Sequence, residues 1–157
     1  MDQDTAVERL NDLLVVEGQG LLGRLHELHP FIDLSDAAAA GVLRQVADRQ
    51  QEHLRALAET ILRLDGVPRP RQPDMSTARV HYLSLRYLLP YLVGDLRRRI
   101  DAYGRAATEL AGQPLAAETV GRILAEHQAD LERLEALAQS SAPAEQAVAA
   151  TAGSHDA

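Results

Sequence analysis

Apolar residues recur at three- and four-residue spacing in four separate stretches, the period of helices that each bury one face. The first stretch runs from about Asp4 to Leu28, with Leu10, Leu13, Leu14, Leu21, Leu25 and Leu28 as its stripe. His29 and Pro30 end it, because a residue before proline avoids helical dihedrals. Ser35 or Asp36 can cap a second helix, which continues to about Leu64 on Val42, Leu43, Val46, Leu54, Leu57 and Ile61. The segment DGVPRPRQPD, Asp65 to Asp74, holds three prolines and a glycine and reads as a stiff, extended connection. A third helix is predicted from about Ser76 to Leu110, on Leu85, Leu89, Leu92, Leu96, Ile100 and Tyr103, with Pro90 expected to kink it or split it in two. Gly112 to Pro114 breaks the chain again, and a fourth helix from about Leu115 to Ala138 uses Val120, Leu124, Leu131, Leu134 and Ala138.

Four helices with one apolar stripe each bury those stripes most simply as an all-α four-helix bundle, spanning residues 1–139. The first helix pairs with the second and the third with the fourth as antiparallel hairpins. The proline-rich connection between the hairpins favours a crossover along the bundle over a tight turn. Residues 140–157, small and weakly apolar, read as a disordered tail.

Stepping around each helix turns several polar groups toward the seam. Glu17 lies on the line through Leu10, Leu21 and Leu28, with Gly18 and Gly20 leaving room beside it. Gln50 and His53 share the line of Val46, Leu57 and Leu64, and His127 lies between Val120, Leu131 and Leu134. All sit near the middle of their helices, so the bundle brings them to one level. Burying a carboxylate without partners costs several kcal/mol, so Glu17 demands compensation. Two imidazoles can supply it as hydrogen-bond donors, or the three groups can ligate one ion, for which a carboxylate with imidazoles suits Fe, Mn or Zn. Glu52 and Glu126, each just before a histidine, fall off the core face and are expected in solvent.

The spacing of these groups resembles the ferritin-like four-helix superfamily, bacterioferritin and rubrerythrin among its members, over about Asp4 to Ala138. That family's di-iron site takes one Glu from each of two helices and Glu-x-x-His from each of the others. Glu17 matches the first-helix Glu; Gln50-Gln51-Glu52-His53 and Leu124-Ala125-Glu126-His127 match the paired motifs, with Gln50 and Leu124 where Glu is expected. The LDGVPRP stretch resembles the family's Leu-Gly-Gly-x-Pro turn. On the third helix the nearest carboxylate is Asp95, off the apolar line and a natural partner for Arg98 or Arg99. The motif is therefore degenerate. Without its two bridging carboxylates, a pair of cations a few ångströms apart would repel with little compensation. The resemblance implies at most one ion on Glu17, His53 and His127, with Gln50 or Asp95 assisting.

Composition narrows the role further. A net charge of −7 argues against a nucleic-acid binder. The absence of Cys excludes thiolate metal sites and Cys nucleophiles, and no Ser has an elbow motif around it. No secretion signal and no apolar span is read, so a cytoplasmic protein, away from membranes, is the expectation. The basic third helix, with Arg79, Arg86, Arg97, Arg98 and Arg99, reads first as a solvated face or a homodimer contact and second as a surface for an anion or acidic partner. Two functions stay open. One is a metal-free binding or scaffold module, dimeric or larger. The other is a one-metal protein, as an iron-handling protein or, if an enzyme, a metal-dependent oxidoreductase of ferritin-like type.

Overall fold

A capping aspartate opens the first helix: the Asp2 carboxylate accepts the Thr5 amide at 2.7 Å, meeting one of the donors a helix start leaves free. The computed structural model describes residues 1–20, 37–71 and 85–140. The elements are α1 (Gln3–Gln19), α2 (Ala37–Arg63), α3 (Leu85–Glu109), a single 3-10 turn (Leu110–Gly112) and α4 (Pro114–Ser140). Among the described residues there is no strand. Pro114 takes the first position of α4, where its missing N–H costs nothing. The expected stripe over Leu21, Leu25 and Leu28, the caps Ser35 and Asp36, the start of the third helix near Ser76 and the tail from residue 141 lie outside the described residues.

One expectation is corrected, and one of two alternatives is decided. The first helix does not run through to Leu28 unbroken: it stops at Gln19, and Gly20 is extended. A Cβ at residue 20 would stand 1.1 Å from Nη2 of Arg99, so any larger residue would push that guanidinium aside, and glycine is also a poor helix former. Pro90 does not split α3. Leu88 and Leu89 before it and Leu92 and Val93 after it are all buried, and their packing carries the helix across the missing hydrogen bond.

Contacts along the helices give their directions. Gln3 reaches Leu64 while Glu17 reaches Gln50, so α1 and α2 are antiparallel. Arg9 pairs with Glu109 while Glu17 meets Arg99, so α1 is antiparallel to α3 as well. On the other side Thr60 meets Thr119 and Arg49 meets Asp130, which sets α4 against α2. Helices α2 and α3 therefore point the same way, and the connection between them must climb the length of the bundle. Its first half is seen doing so. Asn11, buried in α1, donates to the Val67 carbonyl at 3.2 Å and accepts the Arg69 amide at 2.7 Å. Two turns along α1, the Arg71 carbonyl comes within 4.0 Å of where a Cβ of Gly18 would be.

The turn that launches this climb is a helix-terminating motif. The Gly66 amide donates to the Ile61 carbonyl at 2.9 Å and the Asp65 amide to that of Leu62 at 3.0 Å, with Asp65 at φ 55. Gly66 packs so closely on α1 that an added Cβ would lie 2.6 Å from Cγ1 of Val7 and 2.7 Å from its Cγ2.

The core falls into two apolar clusters. One gathers Leu10, Leu14, Leu57, Ile61, Leu110, Val120 and Ile123; the other gathers Leu43, Val46, Leu88, Leu92, Leu96 and Leu134. The polar layer lies between them. Gly66→Ala is expected to lower stability by about 1–3 kcal/mol through overpacking on Val7, whereas Asp65→Gly should raise it by about 1 kcal/mol by removing left-handed strain. Urea unfolding midpoints of the two variants check both signs.

Candidate metal centre

Each of the four helices sends at least one polar side chain to the level between the clusters. Glu17 of α1 is at its centre and has no exposure to solvent. Its Oε1 lies 3.2 Å from Nδ1 of His53 on α2 and 3.4 Å from Nη1 of Arg99 on α3. Its Oε2 accepts the Tyr103 hydroxyl at 2.8 Å and lies 3.0 Å from Nε2 of His127 on α4. The two imidazoles meet edge to face, with ring centroids 4.7 Å apart, and Tyr103 packs on His127 in the same manner at 5.1 Å. One donor atom each from Glu17, His53 and His127 falls within 4.8 Å of the others. The acid and two imidazoles expected from the sequence are thus brought together, all buried.

The assisting residues behave differently. Gln50 is buried, but its amide donates to the main-chain carbonyl of Glu17 at 2.5 Å, fixing the backbone behind the carboxylate rather than joining the donor cluster. Asp95 stands apart from that cluster and pairs with Arg98 and Arg99, both at 3.3 Å. Glu126 is a correction. Expected in solvent, it is only partly exposed, and its Oε2 lies 2.6 Å from Nε2 of His53, with Arg122 one turn below on its other oxygen. Starting one position off the seam, its side chain is long enough to reach back over the ring.

Three participants were not anticipated. Tyr103 was expected to be only an apolar stripe residue, yet its hydroxyl serves Glu17. Arg99 was read as surface, yet it is buried. Asp130 is buried beside Arg49 at 3.2 Å. The signal for the last two was their spacing. Leu92, Leu96, Arg99 and Tyr103, and likewise Ile123, His127, Asp130 and Leu134, follow the seam's three- and four-residue steps.

Electrostatics follows from these contacts. Burial alone would push the Glu17 carboxyl up, but hydrogen bonds from His127 and His53 and the charge of Arg99 hold it well below the usual carboxylate range. Burial works against a charged His53, yet Glu17 and Glu126 outweigh it and raise the imidazole above its ordinary 6.5. Burial would raise Glu126, but His53 and Arg122 together lower it. Burial raises Tyr103 well above the ordinary phenol value, and the Glu17 charge adds to it, so the hydroxyl stays a donor. Asp130 is raised by burial despite Arg49 and Arg133.

One consequence concerns His53 directly. Both of its ring nitrogens face ionised carboxylates, whereas a neutral imidazole carries a single N–H. With Nε2–H given to Glu126, the bare Nδ1 would point its lone pair at Glu17. The arrangement requires either a second proton or a cation between Nδ1 and the carboxylate.

Scans of protein-family models and of curated proteins give no match to this chain. Among solved structures, the chain is similar to a crystal structure described as ferritin like, diiron-carboxylate proteins from Bacillus anthracis str. Ames. The TM-score is 0.70 at 19% identity, over 88% of this chain and 99% of that one. Together with the helix directions and the crossover, this establishes a ferritin-like four-helix fold. No helix among the described residues is long and apolar enough to cross a membrane.

Two outcomes are expected. Tyr103→Phe should destabilise by about 1–3 kcal/mol, since it leaves a buried carboxylate short of a donor, measured by thermal or chemical unfolding. In chelator-treated protein, the raised His53 contributes stability that is complete below 6.5, its unfolded value, and is lost as pH rises through its higher folded value. Unfolding free energies across that range should fall with pH in the parent and much less in His53→Gln.

Proposed function

We propose that this chain is a ferritin-like metal-binding protein whose core holds a single transition-metal ion on Glu17, His53 and His127. The observation that carries the reading is His53 set between two carboxylates. Metal-bound histidines usually give their second ring N–H to a carboxylate, which fixes tautomer and ring orientation. Glu126 stands in that relation to His53, leaving Nδ1 as the lone-pair donor aimed into the Glu17/His127 cluster. Two imidazoles and one carboxylate suit iron, manganese or zinc. Such an ion supplies Lewis acidity and, for iron or manganese, one-electron chemistry.

Charge balance favours one ion over two. A divalent ion and Arg99 would share the one fully buried carboxylate, Glu17, with Asp95 and Glu126, each also paired to an exposed arginine, at the edge of the layer. A second ion would leave two more charges in a dry interior, where an unpaired ion costs several kcal/mol. Gln50 and Leu124 offer no bridging carboxylate to meet them. The residues present therefore do not fit a di-iron centre.

A second reading, a metal-free binding or scaffold module, is favoured by Arg99. Its guanidinium already stands 3.4 Å from Glu17, and an imidazolium at His53 would complete the compensation.

Metal analysis of protein purified without a histidine tag decides between them. About one equivalent of Fe, Mn or Zn is expected, lost in His53→Ala and in His127→Ala with helix content retained, and released on mild acidification as protons compete for the imidazoles. Protein that carries no metal, takes up none when offered it and melts identically with and without chelator would overturn the one-ion reading in favour of the second.

A further inference from the structure

The basic face of α3 plays no part in the donor cluster beyond Arg99 itself. Where that face meets the end of α1, there is an open cavity of about 420 Å³ whose lining includes Gln19, Gly20, Asp95, Arg98, Arg99 and Arg105. In a chain of net charge −7, this cavity gathers three guanidinium groups against one carboxylate. Arg98 and Arg99 share Asp95 at 3.3 Å each, and Arg105 has no ion pair among the described residues.

Arg99 is the informative member. Its side chain is 2% exposed, yet Nε, Nη1 and Nη2 all lack a hydrogen-bond partner among the described residues. The nearby oxygens of Glu17 and Asp95 are charge contacts whose geometry does not align an N–H with an acceptor. A guanidinium keeps its proton and presents five donors in a planar fork, so leaving its nitrogens buried and unmet costs free energy that an acceptor from outside would recover. Gly20 is what gives Arg99 its position: any side chain there would displace the guanidinium from the wall of the cavity.

We propose that this cavity binds a tetrahedral oxyanion, a phosphate either free or as a small monoester. Arg98, Arg99 and Arg105, which all line it, are its ligands. A planar fork matches phosphate oxygens two at a time, which a set of arginines supplies and a lone point charge does not. Asp95 is the one repulsive group, and its charge is already shared between Arg98 and Arg99. The site does not depend on an ion in the core, since none of its groups except Arg99 touches Glu17.

Isothermal titration at constant ionic strength tests it, with inorganic phosphate and glycerol phosphate as separate probes on the full chain. One saturable site per chain is expected for at least one probe. Binding should weaken by about tenfold for each of Arg98→Ala and Arg105→Ala, the loss of one charge-assisted contact. The charge-matched controls Arg44→Ala and Arg63→Ala, single substitutions on exposed positions of α2, should each leave affinity within about twofold. Equal affinity for the two probes assigns a site open to monoesters; binding of inorganic phosphate alone assigns a free-ion site. No saturable binding of either probe, or equal weakening in the controls, overturns the proposal. Circular dichroism on each variant confirms that lost affinity is not lost fold.

Discussion

A carboxylate removed from water must be answered group by group, and Glu17 is answered from three other helices at once. His53, Tyr103, His127 and Arg99 each bring a donor or a charge to one of its two oxygens. No pair of helices can shift against another without breaking one of these contacts. Apolar side chains tolerate small slippage; a hydrogen bond at 2.8 Å does not. The two apolar clusters supply the driving force for assembly, and the layer between them fixes the register at which they assemble.

That layer also explains the pattern of small residues and breaks around it. Gly20, where α1 ends, leaves the room in which the Arg99 guanidinium reaches the carboxylate. Gln50 spends its amide on the Glu17 carbonyl because a helix end close to a break has a main-chain acceptor to satisfy. Asn11 plays the same part lower down, tying the climbing connection to α1 through its carbonyl and amide groups. Gln50 and Asn11 are thus assigned to backbone left open by a break or a turn, while Thr60 with Thr119 and Asp130 with Arg49 tie α2 to α4.

Much of this could be read along the chain. The helix period placed Glu17, Gln50, His53 and His127 on the inner face, and the proline-rich connection pointed to a crossover. The omissions share a cause. Arg99 reads with its basic neighbours as surface, although it and Asp130 keep the same step as their leucine neighbours. Glu126 shows the opposite difficulty: it is off the seam by position, and only the reach of its side chain brings it to His53. At the end of α1 the local signal, the poor helix former Gly20, was outweighed by the apolar stripe that continues past it in the sequence.

The crossover has a kinetic meaning. Each hairpin is built from neighbouring sequence, α1 with α2 and α3 with α4, so either can gather on its own. The central layer draws Glu17 and His53 from one hairpin and Arg99, Tyr103, Glu126 and His127 from the other. It comes into being only when the halves dock, and a half that stays apart leaves its acid or its imidazole in water. Completion of that layer therefore requires both halves to be docked: the surface that closes between them is also the one that buries the acid and the imidazoles.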